Sequence, residues 1–519
     1  MQANNSISEI AAEKRYRSLA IIIVMMGVTM SAIDTTAVVL GLPVIMRDLH
    51  SNLISMIWVI MSYLLVITVA GTQVGRLGDM FGRVRMYNLG FAVFTVGSLF
   101  CAFSTNGPQL ISFRVLQGVG GALVSSNSGA IIADTFPQRE RGKAYGFTGV
   151  GWSVGAIFGI LIGGAFVTFL NWRYIFLINL PIGILATTAG YVLLKERSPK
   201  LRARLDPVGI VLLAAGLFAV LLSLTDMTGS GYSIRYGAEF VAGISLMIAF
   251  AFWEKRFTSP LLDLAILRER VLSASVLAAF FQALASFAVI FLIIMYLQGP
   301  RGLTPWNASL LLIPGYVLGG MIAPFAGRLS DKFGARVVAS VGLLAQVVGI
   351  VIYSTLGLNS SLYIVVLGSI VNGAGSSSFF PANNSAVMAS APPNAYGVAN
   401  GLLRTLSNTG MVSSFALALL IASISIPREL SFQIFLGVGG IQGALSSAFV
   451  EGMHAALLST IALLSVALLL SVLRGKETRT MAPGPVISAR PTGQLSVKKH
   501  SKRVRGREPN LNPPHITPN

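Results

Sequence analysis

Charge is scarce in this chain. Of 519 residues only 11% are Asp, Glu, Lys or Arg, against about 25% in a soluble domain. With 54% hydrophobic residues there is too little polar surface to face water. That excludes an ordinary soluble domain and leaves lipid as the main solvent. Cysteine is nearly absent: Cys101 stands alone, so no intramolecular disulfide can form. It lies in an apolar run and reads as a small packing residue. The four histidines, His50, His454, His500 and His515, are scattered, without the Cys or acid spacing of a metal site. No metal or other cofactor is expected. There is no G-x-x-x-x-G-K-[ST] loop, which argues against ATP drive within the chain. Neither a G-x-S-x-G elbow nor another recognisable triad is present, so no enzyme is expected.

What is abundant is apolar length. Fourteen stretches are long enough to cross the ~30 Å hydrocarbon layer as helices. They run at 19–46, 54–74, 86–104, 109–132, 144–169, 174–194, 207–226, 236–253, 272–298, 306–326, 336–356, 361–380, 398–426 and 454–473. They are too long and continuous for the alternating strands of a membrane barrel. The stretch 434–449 is apolar but short and Gly-rich, and reads as an interfacial or re-entrant piece. The first run is too long for a signal-peptide core.

The net charge of +19 could suggest a nucleic-acid partner, but its distribution points to the bilayer. Lys and Arg alternate between loops: 21 fall on the side of the N-terminus and five, Arg47, Arg173, Arg235, Arg301 and Arg428, on the other. The positive-inside rule then puts both termini in the cytoplasm, which an even span count allows. After Leu473 the chain turns to Pro, Gly, Ser and the basic cluster KKHSKRVRGR. It reads as a disordered tail able to meet anionic headgroups.

One polar sentence is written twice. GRLGDMFG begins at Gly75 and GRLSDKFG begins 252 residues later, at Gly327, with six of eight positions identical. Each copy joins two spans, on the cytoplasmic side. Gly75, Gly82 and Gly334 permit tight turns. Asp79 and Arg83, and Asp331 in the second copy, supply charges for a clasp that can join the two bundles and act as a conformational gate. Matched copies signal an internal repeat. Eight spans separate the copies where back-to-back six-span repeats would give six. Two extra spans therefore lie between the halves, an architecture of secondary transporters. The expected division is a segment 1–18, a six-helix bundle 19–194, two linker spans within 195–271, a second bundle 272–473 and the tail 474–519. The fold class is thus an all-α membrane protein of 14 transmembrane helices, two six-helix pseudo-repeat bundles with two extra central helices.

The octets resemble the signature loop of the major facilitator superfamily, and fourteen spans resemble its drug:proton antiporter branch. SAIDTTAVVLGLP (31–43), WVIMSYLL (58–65) and RVLQGVGGAL (114–123) are similar to that branch's first, second and fourth helices. GWSVGAIFGILIGGAF (151–166), WRYIFLINLPIG (172–183) and GVANGLLRTLSNTG (397–410) are similar to its fifth, sixth and thirteenth. The chain departs from the pattern at Ile160, which follows Gly159 where the branch usually has proline. It also departs at Val39 and Arg404, where Asn is common. Gly151, Gly155, Gly159, Gly163 and Gly164 still leave a smooth face for helix packing.

Charges inside the membrane mark function. Asp34 lies near the middle of the first span, where a carboxylate costs about 2.5–3.5 kcal/mol on insertion scales. Desolvation favours its neutral form, which suits a proton carrier; as an anion it attracts a cationic substrate. Arg114, followed one turn later by Gln117, is its natural partner, since both fall in the outer half to middle of their spans. Asp226 and Glu239 are expected at the outer interface, and Asp134 in a local pair with Arg139 or Arg141. The C-terminal half has no carboxylate in any helix centre. Candidate cavity residues, beside Asp34, are Trp58, Tyr63, Gln117, Gln282, Tyr296, Gln298, Asn372, Asn383 and Asn408, set among adaptable Met and Phe.

These features predict a monomeric, multi-pass transporter of the cell membrane. Its partners would be a small-molecule substrate, protons and the lipid bilayer, with no nucleic acid. It would export hydrophobic or cationic compounds in exchange for protons by alternating access. The alternatives are a dedicated exporter of one antibiotic or metabolite, a passive facilitator and a membrane sensor.

Overall fold

A computed structural model describes residues 2–137, 140–197, 205–257, 264–391, 396–435 and 443–475. The basic tail cluster falls outside them. Among the described residues there are helices and no strands, because a backbone in lipid must satisfy its hydrogen bonds within the segment. Among the described residues fourteen helical spans are long and apolar enough to cross a membrane.

The first half comprises α1 (Gln2–Asp48), α2 (Leu53–Phe81), α3 (Arg83–Ala102), α4 (Gly107–Thr135), α5 (Arg141–Phe169) and a broken sixth span, α6 (Tyr174–Leu177) and α7 (Asn179–Leu193). The break falls where Pro181 cannot donate to the carbonyl of Leu177. The two extra helices are α8 (Pro207–Ser230) and α9 (Ile234–Arg256). The second half comprises α10 (Arg270–Gln298), α11 (Pro305–Phe333), α12 (Ala335–Tyr353), α13 (Tyr363–Ser390), α14 (Tyr396–Ile424), a short α15 (Arg428–Phe435) and α16 (Ala444–Leu473).

Three expected boundaries move by ten residues or more, two starts and one end, the end being that of α13, at Ser390 and not at 380. Helix α1 does not begin at 19 but runs from Gln2, because Glu13, Lys14, Arg15 and Arg17 interrupt hydropathy without breaking a helix. The last span begins at Ala444 and not at 454. Its first turns carry Ser446, Ser447, Glu451 and His454, which dilute the apolar signal. Of the expected re-entrant stretch 434–449, residues 444–449 therefore belong to the last span, and 436–442 fall outside the described residues. Arg474, assigned to the tail, is fully buried and donates to Ser275 Oγ and Asn383 Oδ1, each at 3.3 Å.

The repeat is visible in packing. Gly90 and Gly97 of α3 lie so close to α4 that a Cβ would sit 2.7 Å from Leu123 Cβ and from Gln117 Cα. Their equivalents 252 residues on, Gly342 and Gly349 of α12, approach Gly375 O and Asn372 N of α13, also at 2.7 Å. The octets match too. Gly82 and Gly334 end their helices with φ of 113° and 90°, a region open to glycine. Their N–H groups donate to Gly78 O and Ser330 O at 2.9 and 3.0 Å. Helix α8 packs against both α2 and α14, one from each half, and α9 packs on α8.

Candidate functional site

The buried charge of the first half is a built cluster. Asp34 and Arg114 are 0% and 1% exposed, and Arg114 Nη1 donates to Asp34 Oδ2 at 2.6 Å. The same nitrogen reaches Gln117 Oε1 at 2.6 Å, and Arg114 Nε donates to Val59 O at 3.1 Å. The guanidinium lies 4.2 Å from the Tyr63 ring centroid and 5.9 Å from that of Phe176, within cation–π range. Gln117 Nε2 donates to Asp34 Oδ1 at 2.8 Å and to Ser98 Oγ at 2.7 Å. Asn179 Nδ2, beside the break that starts α7, faces the same two acceptors at 3.2 and 3.4 Å. Residues of five spans thus form one cluster, in which α4 and α7 donate to the carboxylate of α1. The expectation from desolvation alone misses this: the donor set is complementary to an anion. Cys101 is buried beside it, its Sγ 3.8 Å from Gln117 Oε1.

Of the residues singled out from the sequence, the structure brings together Asp34, Arg114, Tyr63 and Gln117; Asn179 and Ser98, which also face this cluster, were not singled out. An Asn at a span's start and a Ser in an apolar helix are too common to stand out.

The equivalent position to Asp34, 252 residues on, is Ser286, which is half-buried. It donates to Gln346 Oε1 at 3.0 Å, and Gln282 Nε2 donates to the same oxygen at 2.9 Å. The second half therefore carries an uncharged counterpart of the cluster, in which Gln282, expected to touch substrate, is buried between helices.

Other expected cavity residues have structural partners instead. Tyr296 is buried and its hydroxyl donates to Gly357 O at 2.7 Å. Asn383 is buried and donates to Ser275 O at 3.0 Å while accepting from Arg474. The ring of Trp58 packs on Phe218 of α8 at 5.4 Å, at the bundle's edge. Gln298 Nε2 crosses between the halves to Leu40 O at 2.9 Å. Asn372 and Asn408 are half-buried on α13 and α14. Two apolar grooves lie elsewhere. One of about 690 Å³ at α8–α9 is flanked by Tyr232 and Ile234. One of about 190 Å³ at α11–α12 is flanked by Phe325 and Phe333. Neither reaches Asp34, so we take the buried cluster, on geometry, as the site.

At the octet end, Arg83 pairs with Asp79 at 2.7 Å and with Asp134 at 2.5 Å. The Glu196 carboxylate caps α3, accepting from Arg83 N at 2.9 Å and Val84 N at 3.1 Å. These contacts tie the ends of α2, α3 and α4 within one bundle; they are not the expected clasp across two. Asp134 finds its partner in Arg83, because the ends of α2 and α4 lie side by side. The side chains of Arg139, Arg141 and Asp331 lie outside what the structure describes. At the opposite end of the spans, Glu239 pairs with Arg235 at 2.9 Å, and Asp226 is half-buried.

The structure places four of the five glycines singled out on α5 against α1 and one against the other half. A Cβ on Gly151 would sit 3.4 Å from Thr29 Oγ1, on Gly155 2.6 Å from Thr29 O, on Gly159 2.8 Å from Ile33 O and on Gly163 2.9 Å from Ala37 Cα. Four of them thus seat α5 on α1, the helix that carries Asp34. Gly164 faces the other half, where a Cβ would sit 2.7 Å from Ser309 Oγ.

The contacts that join the halves gather at the end opposite the octets. Besides Gln298 to Leu40, Trp306 N donates to Thr168 Oγ1 at 3.0 Å, and the rings of Phe169 and Trp306 meet at 5.9 Å. Near the octets, a Cβ on Gly75, Gly146, Gly149, Gly327 or Gly401 would meet nothing within 4 Å. The molecule is closed at one end and loose at the other.

A solved bacterial homolog of the human lysosomal transporter Spinster, in an inward-facing and unoccupied conformation, has a similar fold. The TM-score is 0.63 at 19% identity, over 88% of this chain and 97% of that one. By sequence, the chain is 31% identical to a riboflavin transporter of Clostridioides difficile, over 80% of this chain and 89% of the relative. It is 33% identical to a tetracenomycin C resistance and export protein of Streptomyces glaucescens, over 77% and 75%. It is 30% identical to a putative multidrug resistance protein of Klebsiella pneumoniae, over 80% and 89%. A sequence profile of the Major Facilitator Superfamily matches residues 19–414 and again 275–488. Repeated octets, mirrored helix packing, one buried charged cluster and these likenesses agree: the chain belongs to the Major Facilitator Superfamily of membrane transporters.

Proposed function

We propose that this transporter exports amphipathic, apolar or cationic small molecules from the cell in exchange for protons, with both termini and the octet end in the cytoplasm. The observation that carries the reading is Asp34. It is a fully buried carboxylate, paired with an arginine, in a protein whose other half holds only amides and a hydroxyl at the matching place. The excess of Lys and Arg on the octet side supports the orientation. The multidrug, tetracenomycin and riboflavin relatives support small organic cargo.

The geometry suggests how coupling works. When the far end opens, a proton from that side lands on an Asp34 oxygen and the ion pair with Arg114 is lost. Arg114 is not stranded, because Gln117 Oε1 and Val59 O still accept from it. Breaking the pair between α1 and α4 favours the outward-open arrangement of the halves, from which cargo leaves. After the halves rock back, the proton departs to the cytoplasm as Asp34 pairs again with Arg114, and the next cargo binds. The half-buried Asn372 and Asn408 can contribute hydrogen bonds to it. Moving one proton inward across 100 mV supplies about 2.3 kcal/mol, plus the pH term.

The test is dye transport in inside-out vesicles with and without a pH gradient. Wild type is expected to accumulate cationic dyes only with the gradient, and Asp34→Asn to lose at least tenfold of that uptake. Unchanged gradient-driven uptake by Asp34→Asn refutes the coupling role. The riboflavin and tetracenomycin relatives keep a second reading in view, a dedicated exporter. Transport of one compound and of no other dye in a panel would select it.

A further inference from the structure

Helices α5 and α11, from opposite halves, run antiparallel and in register. Thr168 meets Trp306, Gly164 meets Ser309, and a Cβ on Gly320 would sit 3.7 Å from Ser153. Continuing that register brings Gly146 opposite Gly327. Each lies 18 residues from the tight Gly164–Ser309 contact, which is about five full turns, so each points along the same face as the residue that touches there. Yet a Cβ on either would meet nothing within 4 Å, nor would one on Gly149. The helices have parted by that level. Pro324 lies within α11 between the last contact and the gap, where a missing N–H lets a helix bend. Phe147, Val150, Met321 and Phe325 are exposed around it, the last two at 61%.

The mirror seam, between α2 and α14, differs in one respect. Gly75 and Gly401 there are equally uncrowded, but α8 packs on both helices and α9 backs it. Polar ties hold the start of α8 to α2 and to α9. Gln73 Nε2 reaches Asp206 O at 3.5 Å, and the buried Asp206 carboxylate accepts from Trp253 Nε1 at 3.0 Å. Among the described helices outside the two bundles, none packs on both α5 and α11.

We propose that the gap between the octet-end halves of α5 and α11 is a lateral portal, through which a membrane-dissolved amphipathic cation enters from the adjoining leaflet, the mirror seam being covered by α8 and α9. This rests on the export reading above. It gives the two extra helices a purpose, since they cover one side entrance and leave the other in place. A cargo that partitions into lipid is concentrated there, and an apolar-walled gap spares it passage through water.

The probe is rhodamine 6G, with uptake measured in inside-out vesicles. The chain carries Cys101→Ser, and the gap is filled by Gly146→Trp with Gly327→Trp. Both sites are uncrowded, so folding should survive. Uptake is expected to fall at least tenfold, and by less than twofold with Gly401→Trp at the mirror seam. Maleimide labelling of Ser309→Cys at the far end should be unchanged in the filled protein, showing that the halves still alternate. Wild-type uptake by the filled protein, or an equal loss with Gly401→Trp, overturns the portal. So does a loss of far-end labelling, since the gap would then be a hinge and not an entrance. A wild-type protein that moves no dye refutes the export reading itself, and the portal with it.

Discussion

Arg114 does more than neutralise Asp34. It spends separate N–H groups on Asp34, Gln117 and Val59 and lays its plane over Tyr63, a set that a lysine cannot reproduce. A buried pair of this kind adds little net stability, because desolvation offsets attraction. Removing Arg114 is different: it leaves the buried Asp34 carboxylate without its counter-charge, at about 3–5 kcal/mol. The two substitutions should therefore not add. Arg114→Gln alone is expected to lower the melting temperature of the detergent-solubilised protein by several degrees, and Arg114→Gln with Asp34→Asn by less. A double variant no more stable than Arg114→Gln would mean that the pair is not the element that matters. At this scale the sequence was readable where a charge has no business in lipid, as at Asp34 and Arg114. It was unreadable where an ordinary polar side chain serves two roles. Asn383 and Gln282 look like cavity residues in a string of letters, and only tertiary packing shows them bonded to Arg474 and Gln346.

Helix pairs hold this protein together through small residues, because lipid provides no hydrophobic drive between helices already in it. The α5 stripe is the clearest case. Ala37 Cα stands 2.9 Å from where a Cβ on Gly163 would be, so Gly163→Leu must push α5 away from α1. Overpacking of that kind costs about 1–3 kcal/mol. The expected result is a fall of several degrees in thermal unfolding followed by size-exclusion chromatography. Gly401→Leu, with nothing within 4 Å, should stay within a degree or two of wild type. Equal effects would show that helix propensity, not contact, governs both sites. Hydropathy located all fourteen spans because twenty apolar residues in a row have few alternatives to a membrane helix. It misplaced ends where polar residues continue a helix, as from Gln2 and from Ala444. It could not show that the charges of the first octet turn inward to Asp134, since pairing across helix ends depends on packing that no local window contains.

As a whole, the molecule is a pair of bundles pinned at one end. Rocking between two states requires that pin to open, and the pin can be made covalent. A Cβ on Gly164 would lie 3.0 Å from Ser309 Cβ, close to the separation of roughly 3.5–4.5 Å found in disulfides. Gly164→Cys with Ser309→Cys should thus cross-link on mild oxidation after a shift of a few tenths of an ångström. Cys101, buried beside Gln117, is out of reach of that chemistry. If alternation drives transport, the oxidised protein should lose nearly all gradient-driven dye uptake and recover it on reduction, while dye binding at the loose octet end persists in both forms. Binding and transport would then separate, as expected when only the far-end opening is blocked. Full transport by a protein shown to be fully cross-linked would mean that cargo crosses without the far end parting, and the two-state cycle around Asp34 would have to be abandoned.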